Sequence, residues 1–226
     1  MNPTPDTALV LFSGGQDSTT CLFWAKVQFE RVWAIGFDYG QKHEIELQQA
    51  RKIAERAKVP FTVYNIKGTL GGSALTEHHL DVSANHAQNP NLPAAFVPAR
   101  NALFLTLAAG FAYQHQIHDL VIGACQTDFS GYPDCRRVFM DATQTSLSLA
   151  LDTDIRIHTP LMYRNKAETW KLAKELGVLE VVRDESHTDY NGDRTTYNEW
   201  GYGRLDNPAS ILRAKGWEEA KAKGWV

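Results

Sequence analysis

A short apolar segment that runs directly into a glycine turn near the start of the chain constrains the fold more than any other feature. Residues 8–12 read Ala-Leu-Val-Leu-Phe, the next six read Ser-Gly-Gly-Gln-Asp-Ser, and an apolar helical pattern follows. This order predicts a strand, a tight turn and the start of a helix. Glycines let the backbone turn sharply and approach a ligand closely, and free amides at a helix start bind anions. The segment is therefore a candidate cradle for a pyrophosphate group.

An ordinary turn between a strand and a helix is the alternative, and two glycines alone favour it. The complete string at residues 13–18, Ser-Gly-Gly-Gln-Asp-Ser, is more specific. It resembles the PP-loop of the N-type ATP pyrophosphatases, which cleave ATP to AMP and pyrophosphate while they adenylate an oxygen of their substrate. It differs from a Walker loop because the Gly-Lys-Ser/Thr ending is missing.

The rest of the chain alternates between predicted strands and helices. Strands are predicted at 8–12, 31–39, 61–65, 120–124 and 155–158, the last at a sheet edge, and helices at 17–29, 43–57, 101–116, 135–151, 166–176 and 208–215. This alternation favours an α/β fold, a parallel sheet with helices on both faces. Residues 68–98 lack periodicity, which in a compact domain is typical of a lid, a binding loop or disorder. Residues 184–226 are polar and predict an irregular appendage.

Composition limits the classes of function. The chain is 43% hydrophobic and 22% charged with a net charge of −3, which gives no electrostatic case for a nucleic-acid partner. Its apolar stretches are too short to span a membrane. Cys21, Cys125 and Cys135 lack metal-ligand spacing, and we expect Cys21 and Cys125 to fill core space. A cytoplasmic protein without membrane or nucleic-acid partners is the expectation.

Polar segments follow the predicted strands. They comprise residues 38–41, 96–101, 126–136 and 160–170. Each alone could be an ordinary turn. Because ligands of open α/β sheets bind beyond the carboxyl ends of the strands, we expect these segments to converge on one rim with the glycine turn.

Together these segments resemble one family closely. The strings at 13–21, 37–41, 96–101, 127–136, 159–162 and 166–170 are similar to those of the 7-cyano-7-deazaguanine synthases, the QueC family. The resemblance implies a Rossmann-like sheet of the adenine nucleotide alpha hydrolase type, with an ATP-binding domain at 1–183 and the appendage at 184–226. It also implies a homodimer that converts 7-carboxy-7-deazaguanine, ammonia and ATP to 7-cyano-7-deazaguanine, through an adenylated carboxylate and an amide, for queuosine biosynthesis.

The resemblance also assigns nucleotide-binding residues. These are Phe12, Ser13, Gly14, Gly15, Gln16, Asp17, Ser18, Thr19, Thr20, Cys21 and Leu22, together with Asp38, Tyr39 and Gln41. The loop amides would bind the pyrophosphate of ATP, and Asp17 would lie near Mg²⁺.

The remaining assignments concern substrate binding and catalysis. The substrate candidates are Arg100, Asn101, Asp128, Ser130 and Tyr132, and the catalytic candidates are Asp17, Arg100, Asp128 and Lys166. The planar guanidinium of Arg100 can donate two parallel hydrogen bonds to a phosphate or a carboxylate, and the ammonium of Lys166 can act on the same groups as a point charge. Asp128 can accept from a guanine-like N1–H and amino group while Tyr132 covers the ring face. A solvated turn is the alternative for each single residue.

The tail departs from the family pattern. The positions of the family's four zinc-binding cysteines carry Asp189, Arg204, Asn207 and Ser210. Structural zinc sites need thiolates or imidazoles, so we predict no zinc and no other protein-bound metal site there. We expect an Asp189–Arg204 ion pair instead, with Asn207 and Ser210 hydrogen-bonded around it. Unconnected surface residues are the alternative.

Losing the zinc leaves two functional interpretations. The chain is a zinc-free nitrile synthase, or a diverged paralogue that stops at the amide or amidates another acid. The intact rim motifs favour the first. More distant alternatives are a sulfur- or lysine-transferring tRNA enzyme and a non-catalytic nucleotide sensor. Release of pyrophosphate from ATP with ammonium and the 7-carboxy base would exclude the sensor.

Overall fold

A five-stranded parallel sheet forms the centre of the protein in a computed structural model that describes residues 6–41, 45–76, 85–86, 89–127 and 132–226. The strands are β1 (Thr7–Leu11), β2 (Arg31–Asp38), β3 (Phe61–Asn65), β4 (Asn85–His86), β5 (Asn89–Pro93), β6 (Asp119–Val121), β7 (Arg156–His158), β8 (Tyr197–Asn198) and β9 (Gly201–Tyr202). The helices are α1 (Gln16–Gln28), α2 (Ile45–Ala57), α3 (Arg100–Gln114), α4 (Arg137–Leu151), α5 (Lys166–Glu175), α6 (Leu179–Asp184) and α7 (Pro208–Ala222).

The strand order of the central sheet creates a crevice beside β1. The order is β3-β2-β1-β6-β7, and every neighbouring pair is parallel. The chain moves outward from β1 to β3 and then returns to add β6 and β7 on the other side of β1. Such a reversal separates the loops after β1 and β6, which is where open α/β sheets bind ligands. The parallel sheet and the edge position of β7 confirm those predictions.

Helices cover both faces of the sheet, as predicted, because β1 alternates its apolar side chains between them. Leu9 and Leu11 join one core cluster with α3 and α4, whereas Ala8 and Val10 join a second cluster with α1, α2 and α5. Alternation with a period of two is the direct consequence of strand geometry. Both clusters bury their apolar side chains almost completely, which fixes the helices relative to the carboxyl edge of the sheet.

The glycine turn after β1 is held by helix packing. Gly14 has a φ of +82°, and a Cβ there would lie 2.7 Å from the amide nitrogen of Ala50 and 2.8 Å from the carbonyl oxygen of Glu46. Only glycine satisfies both the left-handed backbone and this close approach. Helix α2 therefore packs directly on the turn.

Two segments outside the central sheet are more regular than the sequence predicts. Residues 68–98 include the β4–β5 hairpin, and the predicted irregular tail contains the β8–β9 hairpin and the helix α7. Helix α7 continues to Ala222, whereas the prediction ended it at residue 215, before Gly216. A Cβ at Gly216 would overlap the Cβ of Lys166, so this glycine allows α7 to pack against α5 and does not end the helix.

Buried residues attach the tail to the rest of the fold. Trp170 of α5, Trp200 and Trp217 form an apolar cluster, and the Trp170 and Trp217 rings meet edge to face with centroids 5.0 Å apart. Arg213 of α7 is fully buried and donates to the carbonyl oxygens of Trp200, Val182 and Arg183 at 2.9–3.1 Å. Residues 184–226 thus share a core with α5.

Candidate active site

A cavity of about 300 Å³ lies at the carboxyl edge of the sheet, beside the reversal point of the strand order. Twelve of the side chains or turn residues assigned from sequence line it: Phe12, Ser13, Gly15, Gln16, Asp17, Ser18, Tyr39, Gln41, Arg100, Asn101, Tyr132 and Lys166. The first and the last of these residues, Phe12 and Lys166, are 154 positions apart in sequence. The structure therefore brings most of the predicted site together.

Some assigned residues lie elsewhere. Gly14, Thr19, Thr20, Cys21, Leu22 and Asp38 are not part of the cavity wall. Gly14 contacts α2, the next four are buried in α1, and Asp38 lies 3.1 Å from the Lys67 ammonium. Asp128 and Ser130 lie outside the described residues. The functional roles of all these residues stay predictions.

One end of the cavity is polar and is formed by the glycine turn. The hydroxyl oxygens of Ser13 and Ser18 lie 3.1 Å apart, and the Gly15 amide donates to Ser13 Oγ at 3.4 Å. The side-chain amide of Gln16 and Oδ1 of Asp17 are buried, and neither has a hydrogen-bond partner within the described part of the chain. Unpaired polar atoms of this kind are costly to bury, and they are free to contact a polar ligand.

An ion pair lies at the polar end of the cavity. The Lys166 ammonium lies 2.6 Å from Asp17 Oδ2. Asn165 caps α5: its side chain accepts from the Glu168 amide at 2.9 Å, and the Glu168 carboxylate accepts from the Asn165 amide at 2.8 Å. This capping box fixes the first turn of the helix, and with it the backbone position of Lys166.

The other end of the cavity is aromatic. The rings of Phe37 and Phe104 stack with centroids 4.3 Å apart, and Tyr39 packs against Phe104 at 5.6 Å. Tyr132 and Tyr190 add two more rings to the wall. Such a surface suits a flat heterocycle, because aromatic faces stack on one another.

Arg100 supplies the positive charge at the aromatic end. Helix α3 begins at Arg100, directly after Ala99, which has a left-handed backbone with a φ of +57°. That conformation is uncommon for a residue other than glycine and is typical of functional sites. Burial raises the pKa of Tyr39 to about 12 although Arg100 lowers it, so the tyrosine stays neutral near the guanidinium.

Glu46 is an acidic wall residue that the sequence analysis did not assign. It lies in the first turn of α2 and lines the cavity. Burial raises the pKa of its carboxyl to about 7, although the Arg100 charge lowers it. Such a group exchanges a proton near neutral pH. A glutamate five residues beyond Gln41 on an amphipathic helix carries no signal that distinguishes it from a solvated one.

The appendage also contributes to the cavity wall. The residues of the appendage that line the cavity are His187, Thr188, Tyr190, Ala209 and Leu212. His187 is 1% exposed, and its Nε2 lies 2.9 Å from the Asp189 carbonyl oxygen. Burial lowers the pKa of His187 to about 4, so the imidazole is neutral at neutral pH. From sequence alone this segment was predicted only to have lost a metal site, with no part in the cavity.

The predicted Asp189–Arg204 ion pair is wrong. Asp189 is 1% exposed, and its Oδ2 accepts from the Arg204 backbone amide at 2.8 Å and from Ser210 Oγ at 3.0 Å. The Arg204 guanidinium instead lies 3.6 Å from Asp193 and stays half in solvent. Hydroxyl and amide donors satisfy the buried carboxylate without the cost of burying a second charge.

Of the other two tail positions, Ser210 hydrogen-bonds to Asp189 as expected, whereas Asn207, among the residues that the structure describes, does not hydrogen-bond to Asp189 or Arg204 directly. Asn207 caps α7 by accepting from the Ser210 amide at 3.1 Å, and Ser210 in turn donates to Asp189. The four positions are therefore connected and are not scattered surface residues. Among the side chains that the structure describes, no group of three or more His, Cys, Asp or Glu is placed to hold a metal ion.

No helix in the described ranges is long and apolar enough to cross a membrane.

The family model and the related proteins that match this chain all concern queuosine biosynthesis or 7-cyano-7-deazaguanine synthases. The sequence model of the family described as "Queuosine biosynthesis protein QueC" matches residues 7–221. A 7-cyano-7-deazaguanine synthase of Wolinella succinogenes is 50% identical over 218 residues, covering 95% of this chain and 94% of the relative. A protein of the same name from Bacteroides fragilis is 49% identical over 220 residues, covering 96% and 97%.

A solved structure shares the fold. It is described as a predicted subunit of tRNA methyltransferase from Methanocaldococcus jannaschii, with a TM-score of 0.50, 20% identity and 75% of each chain covered. At that identity the likeness concerns the fold alone.

Proposed function

The chain belongs to the QueC family of queuosine biosynthesis proteins, and from this premise we propose that it converts 7-carboxy-7-deazaguanine, ammonia and ATP to 7-cyano-7-deazaguanine. The observation that carries the proposal is one cavity with two chemically different ends. A hydroxyl- and amide-lined turn with the Lys166–Asp17 pair forms one end. Stacked aromatic rings around Arg100 form the other.

The chemistry requires both ends. A carboxylate does not react with ammonia because its leaving group would be oxide. Its oxygen therefore attacks the α-phosphorus of ATP, pyrophosphate leaves, and the acyl adenylate now carries a good leaving group. The ammonia lone pair forms the C–N bond, the bond to AMP breaks, and the amide results. Adenylation of the amide oxygen by a second ATP then allows loss of AMP and a proton to give the nitrile.

The glycine turn is the proposed nucleotide site. The Gly15 amide, the Ser13 and Ser18 hydroxyls and the unpaired Gln16 amide offer donors to phosphate oxygens. Lys166 adds a point charge. Asp17 Oδ1 has no partner within the described residues, so it fits a Mg²⁺ ion, which prefers carboxylate and phosphate oxygens. That ion would neutralise phosphate charge during adenylation.

The aromatic end is the proposed site of the base. We place the 7-carboxy group toward Arg100, whose planar fork matches a carboxylate. The ring would stack among Phe37, Phe104 and Tyr132, all of which line the cavity. Asp128 and Ser130 stay candidates for the polar edge of the base. Positioning of this kind, with charge neutralisation, accounts for most catalysis in phosphate chemistry.

The absence of zinc is likewise a proposal. Its support is the Asp189 carboxylate, which accepts from the Arg204 amide, from Ser210 and from the Asn191 amide at 2.8–3.0 Å. These contacts occupy the oxygens that a metal would need. The cytoplasmic location and the homodimer stay predictions.

Product analysis tests the proposed function. The protein is incubated with ATP, Mg²⁺, ammonium and 7-carboxy-7-deazaguanine, and the products are identified by mass spectrometry. We expect the nitrile, with AMP and pyrophosphate. The Asp17→Asn variant should turn over at least about 100-fold more slowly, and the exposed Asp152→Asn variant should match wild type. An amide as the final product would indicate a diverged paralogue, and absence of pyrophosphate would indicate a sensor.

A further inference from the structure

We propose that Glu46 is a catalytic residue: its carboxylate takes a proton from the substrate nitrogen both when the amide forms and when the nitrile forms. The inference rests on the proposed function, and it assigns a residue to a task that the glycine turn, Arg100 and Lys166 cannot perform. Both chemical steps after adenylation release a proton from nitrogen. Arg100 and Lys166 are cations with no acceptor site.

The position of Glu46 joins the two ends of the cavity. Its carbonyl oxygen lies against the glycine turn, where a Cβ at Gly14 would approach within 2.8 Å. Its side chain lines the same cavity as Arg100 and Tyr39. A substrate held between Arg100 and the turn would therefore have Glu46 in the cavity wall beside it.

The Glu46 carboxylate is available for chemistry. It forms no hydrogen bond and no ion pair with another residue of the described ranges. Glu46 is half-buried and lines the cavity, so a substrate bound there can reach its carboxylate. The carboxylates of Asp17 and Asp189, by contrast, are engaged by Lys166 and by Ser210.

The protonation state suits a base. Burial raises the pKa of Glu46 to about 7, and the Arg100 charge opposes this rise. Among the described residues, Tyr39 and Tyr190 also interact with it, and burial raises the pKa of both, so they stay protonated. A general base works best when its pKa lies near the operating pH. His187, with a pKa lowered to about 4, is a weaker acceptor.

The two steps balance with Glu46 in this role. In the first, the ammonia lone pair bonds to the acyl carbon, Glu46 accepts one N–H proton, and AMP leaves with the electron pair of the C–O bond. Glu46 then releases the proton to water. In the second, Glu46 accepts the remaining proton of the adenylated imidate nitrogen while the C–O bond breaks, which gives the C≡N bond and AMP.

A Glu46→Gln variant separates proton transfer from adenylation. Exchange of labelled pyrophosphate into ATP, with the 7-carboxy base and without ammonia, measures adenylation alone and should stay within about threefold of wild type. Ammonia-dependent amide formation should fall at least about 100-fold. Hydroxylamine, whose adduct loses its proton readily to water, should restore capture of the acyl adenylate. Glu55→Gln, an exposed residue on the same helix, is the matched control and should behave as wild type.

Each other outcome has a definite meaning. Full ammonia-dependent activity in Glu46→Gln would overturn the role of Glu46 while leaving the proposed function intact. An equal loss of exchange and amide formation would overturn it too, because Glu46 would then bind substrate or hold the fold. Glu46→Asp, which keeps the carboxylate, should retain exchange and show partial amide formation with the acid limb of its pH profile still present. Wild-type protein without exchange would reject the proposed function and this inference together.

Discussion

At the scale of single residues, the buried carboxylates differ in what satisfies them. Asp119, at the start of β6 and 4% exposed, accepts from Arg156 at 2.6 and 2.8 Å and contacts His158 at 2.7 Å. Burial would raise the pKa of Asp119, but these hydrogen bonds lower it well below its usual range. Glu46 has no such partners in the described residues, and its pKa rises. For these two carboxylates, the presence of a hydrogen-bonded Arg or His partner, more than the depth of burial, decides whether the pKa rises or falls.

The lowered pKa of Asp119 predicts an acid-sensitive contribution to stability. The unfolded chain takes up this proton near pH 4 and the folded protein only at lower pH, so the contribution is complete above about pH 5 and is lost as the pH falls toward 2. Asp119→Asn should lower the free energy of unfolding by about 2 kcal/mol at pH 7. Urea unfolding should show the same difference at pH 7 and at pH 5, and a smaller difference at pH 3.

Asp154 provides the matched control. Its carboxylate also contacts Arg156, at 3.2 Å, but its side chain is 77% exposed. Asp154→Asn should change stability by less than about 0.5 kcal/mol at every pH. A difference between wild type and Asp119→Asn that stayed constant with pH would contradict the assignment.

At the scale of elements, two contacts fix where Lys166 points. The capping box of Asn165 and Glu168 sets the first turn of α5. Helix α7 then packs across that turn at Gly216, where no side chain separates the two helices. Lys166, a proposed catalytic residue, is thus positioned by one local signal and one long-range contact, and the sequence reveals only the local signal.

Gly216→Ala should therefore affect both stability and the site. The added methyl group would overlap Lys166, and overpacking of this kind costs about 2 kcal/mol. We expect a lower melting temperature and a raised KM for ATP, measured by calorimetry and by steady-state kinetics. Gly110→Ala in α3 is the control, because a Cβ there meets nothing within 4 Å, and it should be neutral or slightly stabilising. Equal effects of the two variants would contradict the packing argument.

At the scale of the whole molecule, Arg213 connects the appendage to the rest of the fold. It is fully buried, donates to the hydroxyls of Ser186 and Thr188 at 2.8 Å, and lies over the Trp170 ring at 5.1 Å. Burial lowers its pKa to about 9, which still leaves it charged at neutral pH. The segment that it holds supplies His187 and Tyr190 to the cavity wall.

Arg213→Met should destabilise the protein by about 3 kcal/mol or more, since it leaves several buried acceptors without donors. Urea unfolding measures this change, and loss of pyrophosphate exchange should accompany it as the cavity wall loosens. Arg204→Met is the matched control: that guanidinium is 56% exposed and lies 3.6 Å from Asp193, so its removal should be nearly neutral. A strong effect of Arg204→Met would restore the rejected ion pair as a candidate.

Much of this architecture could be predicted from local pattern. Apolar periodicity located β1, β2 and β3 to within a residue or two, and the string at residues 13–18 identified the turn. The end of α7 could not be predicted, because Gly216 carries the signal of a helix end until its neighbour in α5 is known. The prediction of an Asp189–Arg204 ion pair was wrong for a related reason. The charges of the two side chains can be read from the sequence, but the donors that reach the buried Asp189 carboxylate cannot: they are the Arg204 backbone amide and the Ser210 hydroxyl.

The alternation of strands and helices, the glycine turn and the family could all be predicted without coordinates, because they depend on residue types at short spacing along the chain. The folded chain was needed to show that Glu46 and Tyr190 line the same cavity, that Gly216 lets α7 pack against Lys166, and that Asp189 accepts from Ser210 and a backbone amide. The physical reason is that pKa values, close packing and hydrogen-bond satisfaction depend on neighbours that are distant in sequence and adjacent only after folding.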